Sequence, residues 1–198
     1  MFDTFAPIEN MKKREMKAWE DDMEDLVNSF LNRPIHKNLT QSILSSIPDD
    51  AIEQAVIDNI QSKIKPDFSD EYQVVTKLTK GRQAIYTTFY LEAEVCNGGF
   101  NQYFYNSTGR FAKEASQGLA KIGAVKLTNL MNQAINIYAE NEQEITKEQD
   151  GTLEGFSNSY DDNPLDELDD IFYALIKEEN LSALRINYIR NNPKEFID

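Results

Sequence analysis

The sequence predicts an all-α fold: a compact multi-helix domain over residues 67–198, preceded by an N-terminal helical extension over 1–66. Three observations carry this. Apolar residues recur at three- and four-residue spacings along nearly the whole chain, the period of a helix face turned to a core. No sustained run alternates apolar and polar residues, as a half-buried strand requires. Only eight Gly and six Pro interrupt 198 residues, too few for the turn signals of a sandwich or barrel.

In the extension, Met16, Trp19, Met23, Leu26, Val27 and Phe30 define an amphipathic helix over 10–32, ended by Pro34. A second helix is predicted over 48–65. Ile52, Val56, Ile60 and Ile64 recur every four residues there, Pro48 suits its first turn, and Asp49 and Asp50 complement its N-terminal dipole. Lys65-Pro66-Asp67 reads as the linker to the main unit. From Ser69 onward, Tyr72, Val75 and Leu78 mark one helix, and Ile85, Phe89, Glu92 and Cys96 lie along a face of the next. Asn97-Gly98-Gly99 stops that helix, because these residues tolerate the left-handed backbone that closes a C-terminus. A short aromatic helix follows through Phe100, Tyr103 and Phe104, then a turn at 106–109. Phe111, Ala115, Leu119 and Ile122 form a stripe that stops at Gly123, and Leu127, Leu130, Met131, Ala134, Ile137 and Tyr138 continue the period. The stretch 140–163 is polar and reads as a loop. Leu165, Leu168, Ile171, Phe172 and Leu175 resume the helical pattern, and Leu181, Leu184, Tyr188 and Ile189 mark the last helix.

The densest local signal is the corner itself. Asn97, Asn101, Gln102 and Asn106 gather amide side chains beside the two glycines, where a helix end leaves carbonyls to satisfy. Glu92 falls on the apolar stripe, so a half-buried carboxylate there needs donors, and those amides are the nearest in sequence. The plainer reading is a structural corner held by buried hydrogen bonds. The alternative is a small-molecule or peptide-binding pocket lined by Asn, Gln and Tyr.

The run Glu94-Val95-Cys96-Asn97-Gly98-Gly99-Phe100-Asn101-Gln102-Tyr103-Phe104-Tyr105-Asn106, followed by Ile122-Gly123-Ala124, resembles the pattern of the DNA-mimic-protein-like family. The ending Tyr188-Ile189-Arg190-Asn191-Asn192 with Phe196 is similar to that family's closing helix, so the resemblance spans roughly 70–198. Cys96 stands where the family pattern has a second Asn. The resemblance implies an all-helical fold, no cofactor, no catalytic residues, and an acidic face offered by some members to a DNA-binding protein.

Charge placement bears on that implication. Twelve acidic residues lie between Glu140 and Asp170 against a single Lys147, so this stretch carries most of the formal charge of −14. Such a field repels phosphate backbones and anionic lipid, which argues against direct nucleic-acid or membrane binding, and it attracts basic surfaces. Asp161, Asp162, Asp166, Glu167, Asp169 and Asp170 are the candidate partner-binding residues. Glu92, Glu94, Asn97, Gly98, Gly99, Phe100, Gln102 and Asn106 are the candidate corner residues. The plain reading of 141–163 is a solvated loop, in which like charges repel and Gly151 and Gly155 loosen the chain.

Other chemistry is thin. Asp150 to Asp161 nearly fits a calcium loop, but Ser157 and Asp161 stand where an aliphatic residue and a bidentate Glu are wanted, so no metal is expected. His36 is the only histidine and has no nucleophile signature beside it. The lone Cys96 excludes an intrachain disulfide, is expected to be a buried inert thiol, and suggests the reducing cytoplasm. The opening MFDTFAPIEN lacks a secretory pattern. The expectation is a cytoplasmic, non-enzymatic acidic protein without cofactor. It binds a basic protein, a DNA-binding protein among the candidates, and a homo-oligomer remains open.

Overall fold

The computed structural model describes residues 17, 23–25, 27–147, 152–160 and 163–198. The chain divides into two compact units, Met1–Ile35 and His36–Asp198. In the first, the described residues from 17 to 30 are helical, as the spacing of Met23, Val27 and Phe30 predicts; Met16, Trp19 and Leu26 lie outside the described residues. The second unit begins at His36 rather than at residue 67, so the helix after Pro48 belongs to the main core.

The regular elements among that unit's described residues are all helices, with no strand among them. Helix α1 (Gln41–Ser46) is capped by Thr40, whose hydroxyl accepts from Ile43 N at 3.2 Å. Helix α2 (Asp49–Gln61) starts after Pro48 and buries Ile52, Val56, Ile57 and Ile60. After α3 (Glu71–Val75) comes α4 (Lys80–Tyr105), which is bent at Gly98 and Gly99 into two arms. The 3-10 turn Ser107–Phe111 leads into α5 (Ala112–Ile122), which ends at Gly123 with φ 91°. Helices α6 (Val125–Thr146), α8 (Asp166–Glu178) and α9 (Leu181–Asn191) follow the predicted stripes. The polar stretch read as a loop holds the last turns of α6 and a short helix, α7 (Leu153–Asn158), capped by Thr152.

The first arm of α4 is the centre of the core, with residues 81–88 buried on every side. The whole of α4 packs on α2, α5, α8 and α9. Its approach to α5 is close: a Cβ at Gly118 would meet Ala84 Cα at 3.0 Å. A helix buried all round needs partners for its polar side chains. Tyr86 OH donates to buried Glu71 at 2.8 Å, and Arg110 pairs with the same carboxylate at 3.0 Å. Arg185 of α9, only 2% exposed, lies between Glu53 of α2 at 2.7 Å and Glu92 of α4 at 2.6 Å. Phe196 is buried, and Asp198 exchanges hydrogen bonds with Leu39 while pairing with Lys63 and Arg82. No described helix is long and apolar enough to cross a membrane.

Candidate functional site

The first arm of α4 stays helical to Asn97. Gly98 then leaves the helical region, at φ −160° and ψ 33°, and Gly99 takes φ 70° and ψ −176°, a combination open essentially to glycine alone. At Phe100 the second arm begins, and its leading N–H has no partner within the helix. Asp169 of α8 supplies one: the Phe100 N–H donates to its Oδ1 at 2.9 Å. The carboxylate sits so close that a Cβ on Gly99 would lie 2.7 Å from Asp169 Cγ. Glycine is therefore required twice over at position 99, by backbone conformation and by the cap above it.

The carbonyls freed at the end of the first arm are met from the same side. Tyr160 OH donates to Gly98 O at 2.8 Å, and Tyr173 OH donates to Val95 O at 3.0 Å. On the corner's other flank, Glu94 accepts from Gln102 Nε2 at 2.7 Å and from Asn106 Nδ2 at 2.8 Å. Gln102 Oε1 in turn accepts from Asn97 at 2.9 Å, and Asn101 donates to Ser159 Oγ at 2.9 Å. The amides thus serve Glu94 and the corner. Glu92 does not draw on them; its partner is Arg185, ninety-three residues downstream. Cys96 is exposed, not buried, because the helix turn that carries it is the last before the corner. Partial burial and the nearby Glu92 charge push its thiol pKa up, away from the thiolate a nucleophile needs.

The candidate acidic residues fall into three groups. Asp161 and Asp162 lie outside the described residues. Asp166, Glu167 and Asp170 are exposed on α8. Asp169 is half-buried and faces the corner, so its role is that of a cap rather than of an outward charge. Burial pushes its carboxyl pKa up, the Phe100 N–H opposes that, and Asp166 and Asp170 add to it by repulsion.

Glu179, which sequence reasoning passed over, fixes how α8 lies on α6. Its carboxylate accepts from the N–H groups of Lys126 and Leu127, each at 2.9 Å, capping α6. The end of α8 is therefore at the start of α6, and the two run antiparallel. At about 1.5 Å per residue, the start of α8 comes level with the region of Glu140. Exposed Glu140, Glu142 and Glu144 continue beyond it, with Lys147 paired to Glu144 at 2.5 Å. Exposed carboxylates thus line both helices, with Glu140 and Glu144 one turn apart on α6, Glu142 on another side of it, and Asp166 and Asp170 one turn apart on α8. Aromatic contacts seat both helices on the second arm: Phe172 meets Phe100 edge-on at 5.6 Å, and Tyr138 stacks on Phe104 at 4.2 Å. Among the described residues, no three His, Cys, Asp or Glu side chains gather as a metal site requires.

The family described as DMP19-like protein matches residues 76–192, a span that holds the corner, α8 and the body of α9. This match covers more than half of the chain, and the chain belongs to that family. No curated protein and no solved structure matches the chain.

Proposed function

We propose that this chain is a non-enzymatic, acidic protein-binding protein whose exposed α6 and α8 carboxylates take the place of DNA on the basic surface of a DNA-binding protein. The observation that carries the reading is the separation of inward from outward carboxylates. Asp169 holds the corner, whereas Asp166, Glu167, Asp170, Glu140, Glu142 and Glu144 are exposed and nearly free of basic neighbours. A surface built to bind phosphates responds to rows of negative charge, and neighbouring carboxylates one helical turn apart supply about 5–6 Å between positions. Membership of the DMP19-like family is in keeping with this. At the corner, Asn97, Gln102 and Asn106 are engaged with Glu94 and with one another, in keeping with a structural role for the amides there.

The test is capture of a partner by the parent chain and by the triple variant Asp166→Asn, Glu167→Gln, Asp170→Asn. The parent should retain a basic protein at low salt and release it as the Debye length falls from about 10 Å at 0.1 M to about 3 Å at 1 M. Duplex DNA should displace this chain, and the triple variant should retain at least tenfold less. A partner that binds DNA and this chain at once, or that the variant holds as well as the parent, overturns the reading.

A further inference from the structure

The outward face of α8 carries more than charge. The exposed positions of this helix are Asp166, Glu167, Asp170, Ile171, Ala174, Lys177 and Glu178, four acids to one base, while Leu168 and Phe172 on the opposite side are buried. Ile171 is 45% exposed, although a β-branched residue gains nothing for a helix at a solvent position where Glu, Lys or Ala would serve better. Glu167 lies one turn before it and Asp170 beside it, and the small Ala174 one turn after leaves room next to the isoleucine. An apolar centre with a charged rim is the plan of a protein–protein contact. A surface that only had to resemble phosphates would have no use for it.

We infer that Ile171 is the apolar anchor of this face, and that the occupant is a basic amphipathic helix of a partner protein. An apolar side chain of that helix seats on Ile171 beside Ala174, and its Lys or Arg residues reach Glu167 and Asp170. The charge of the rim fixes the occupant as basic; the isoleucine fixes it as amphipathic. This rests on the acidic-face reading above and adds the residue that distinguishes a protein partner from general attraction to polycations.

Two synthetic helical peptides of equal length and charge separate the two ideas. Both are lysine-rich; one carries leucine at i and i+4 positions and the other carries serine there. Fluorescence anisotropy with the whole chain at low salt reads binding. The parent should prefer the leucine peptide, and Ile171→Ala should weaken that peptide about five- to tenfold while leaving the serine peptide unchanged. The double variant Glu167→Gln, Asp170→Asn should weaken both. Equal affinity of the parent for the two peptides, or equal affinity of the parent and Ile171→Ala for the leucine peptide, sinks the anchor. If the charge variant binds both peptides like the parent, the acidic-face reading itself has failed. Unchanged circular dichroism of each variant ties the readout to the surface.

Discussion

Replacing Gly99 by alanine should cost more stability than the same change at Gly98, and the geometry divides that cost into two parts. The first is backbone: at φ 70° and ψ −176°, holding a residue with a Cβ costs about 1–3 kcal/mol. The second is contact. The new methyl would lie 2.7 Å from Asp169 Cγ, so the carboxylate must move and the Phe100 N–H loses its cap, a loss of about 1 kcal/mol. Together these come to about 3 kcal/mol, a fall in melting temperature of about 10 °C for a chain of this size. Gly98, at φ −160°, is in a region open to any residue. A Cβ there meets the Gln102 amide and Tyr160 OH, which are ends of flexible side chains, with Gln102 Cβ at 3.0 Å. Its alanine variant should lose about 1 kcal/mol, the ordinary effect of a point change. Urea unfolding of Gly99→Ala, Asp169→Ala and the double variant closes a cycle. With Asp169 truncated, both clash and cap are gone, so Gly99→Ala should then cost only its backbone part. The coupling should be about 1 kcal/mol. Equal losses at the two glycines, or strict additivity in the cycle, would refute this account of the corner.

Two other changes probe the core. Arg185→Ala strands Glu53 and Glu92 around a hole, and should cost about 3 kcal/mol by chemical denaturation; a loss under about 1 kcal/mol would show that the triad does not tie α9 to α2 and α4. Asp198→Asn tests a pH-dependent link. Burial alone would raise the Asp198 pKa, but Lys63, the Leu39 N–H, Asn59 and Arg82 hold it down to about 2. A depressed folded value stabilises above the unfolded value of about 3.9 and is lost as pH falls through the folded one. The parent should therefore exceed the variant by about 1 kcal/mol at pH 7, after discounting for solvent screening, with the gap closing between about pH 4 and pH 2. A gap independent of pH would remove the carboxylate from the explanation.

The helices and the corner were legible because each has a local signature. Apolar spacing marks α2, α4, α5, α6, α8 and α9, and Gly123 with φ 91° is the left-handed stop its position predicts. What the sequence could not show is which distant group answers a local need. Glu92 and Glu94, two apart on one helix, point to different sides. Glu94 meets the amides next to it, whereas Glu92 meets an arginine on a helix formed almost a hundred residues later. Cys96 continues the stripe of Phe89 and Glu92, but a stripe predicts burial only where another element covers it, and the Cys96 side of this arm's last turn is left open. The domain start was hidden similarly. Pro66 and Asp67 look like a linker, yet Ile52, Val56 and Ile60 fill the same core as α4. At six residues, α7 is too short to show a period, and only its Thr152 cap, accepting from Gly155 N at 3.0 Å, marks it.

Asp169 joins two features that look separate in the sequence. The glycine run is a local device for turning a helix, and the acidic stretch sixty residues on looks like surface, yet the corner is finished only when α8 supplies the cap. The inward edge of α8, with Leu165, Leu168, Asp169 and Phe172, is thus fixed by the fold, and substitution there is paid in stability. Its outward edge, with Glu167, Asp170, Ile171 and Ala174, is exposed. Burial of the Asp169 carboxylate, with repulsion from Asp166 and Asp170 added, raises its pKa and works against the folded state. Packing of Phe172 on Phe100, the Glu179 cap on α6 and the helix dipole under the first-turn acids offset it. It follows that the glycine corner determines how α8 is held, while under the proposed function the partner is recognised by the exposed residues of the same helix.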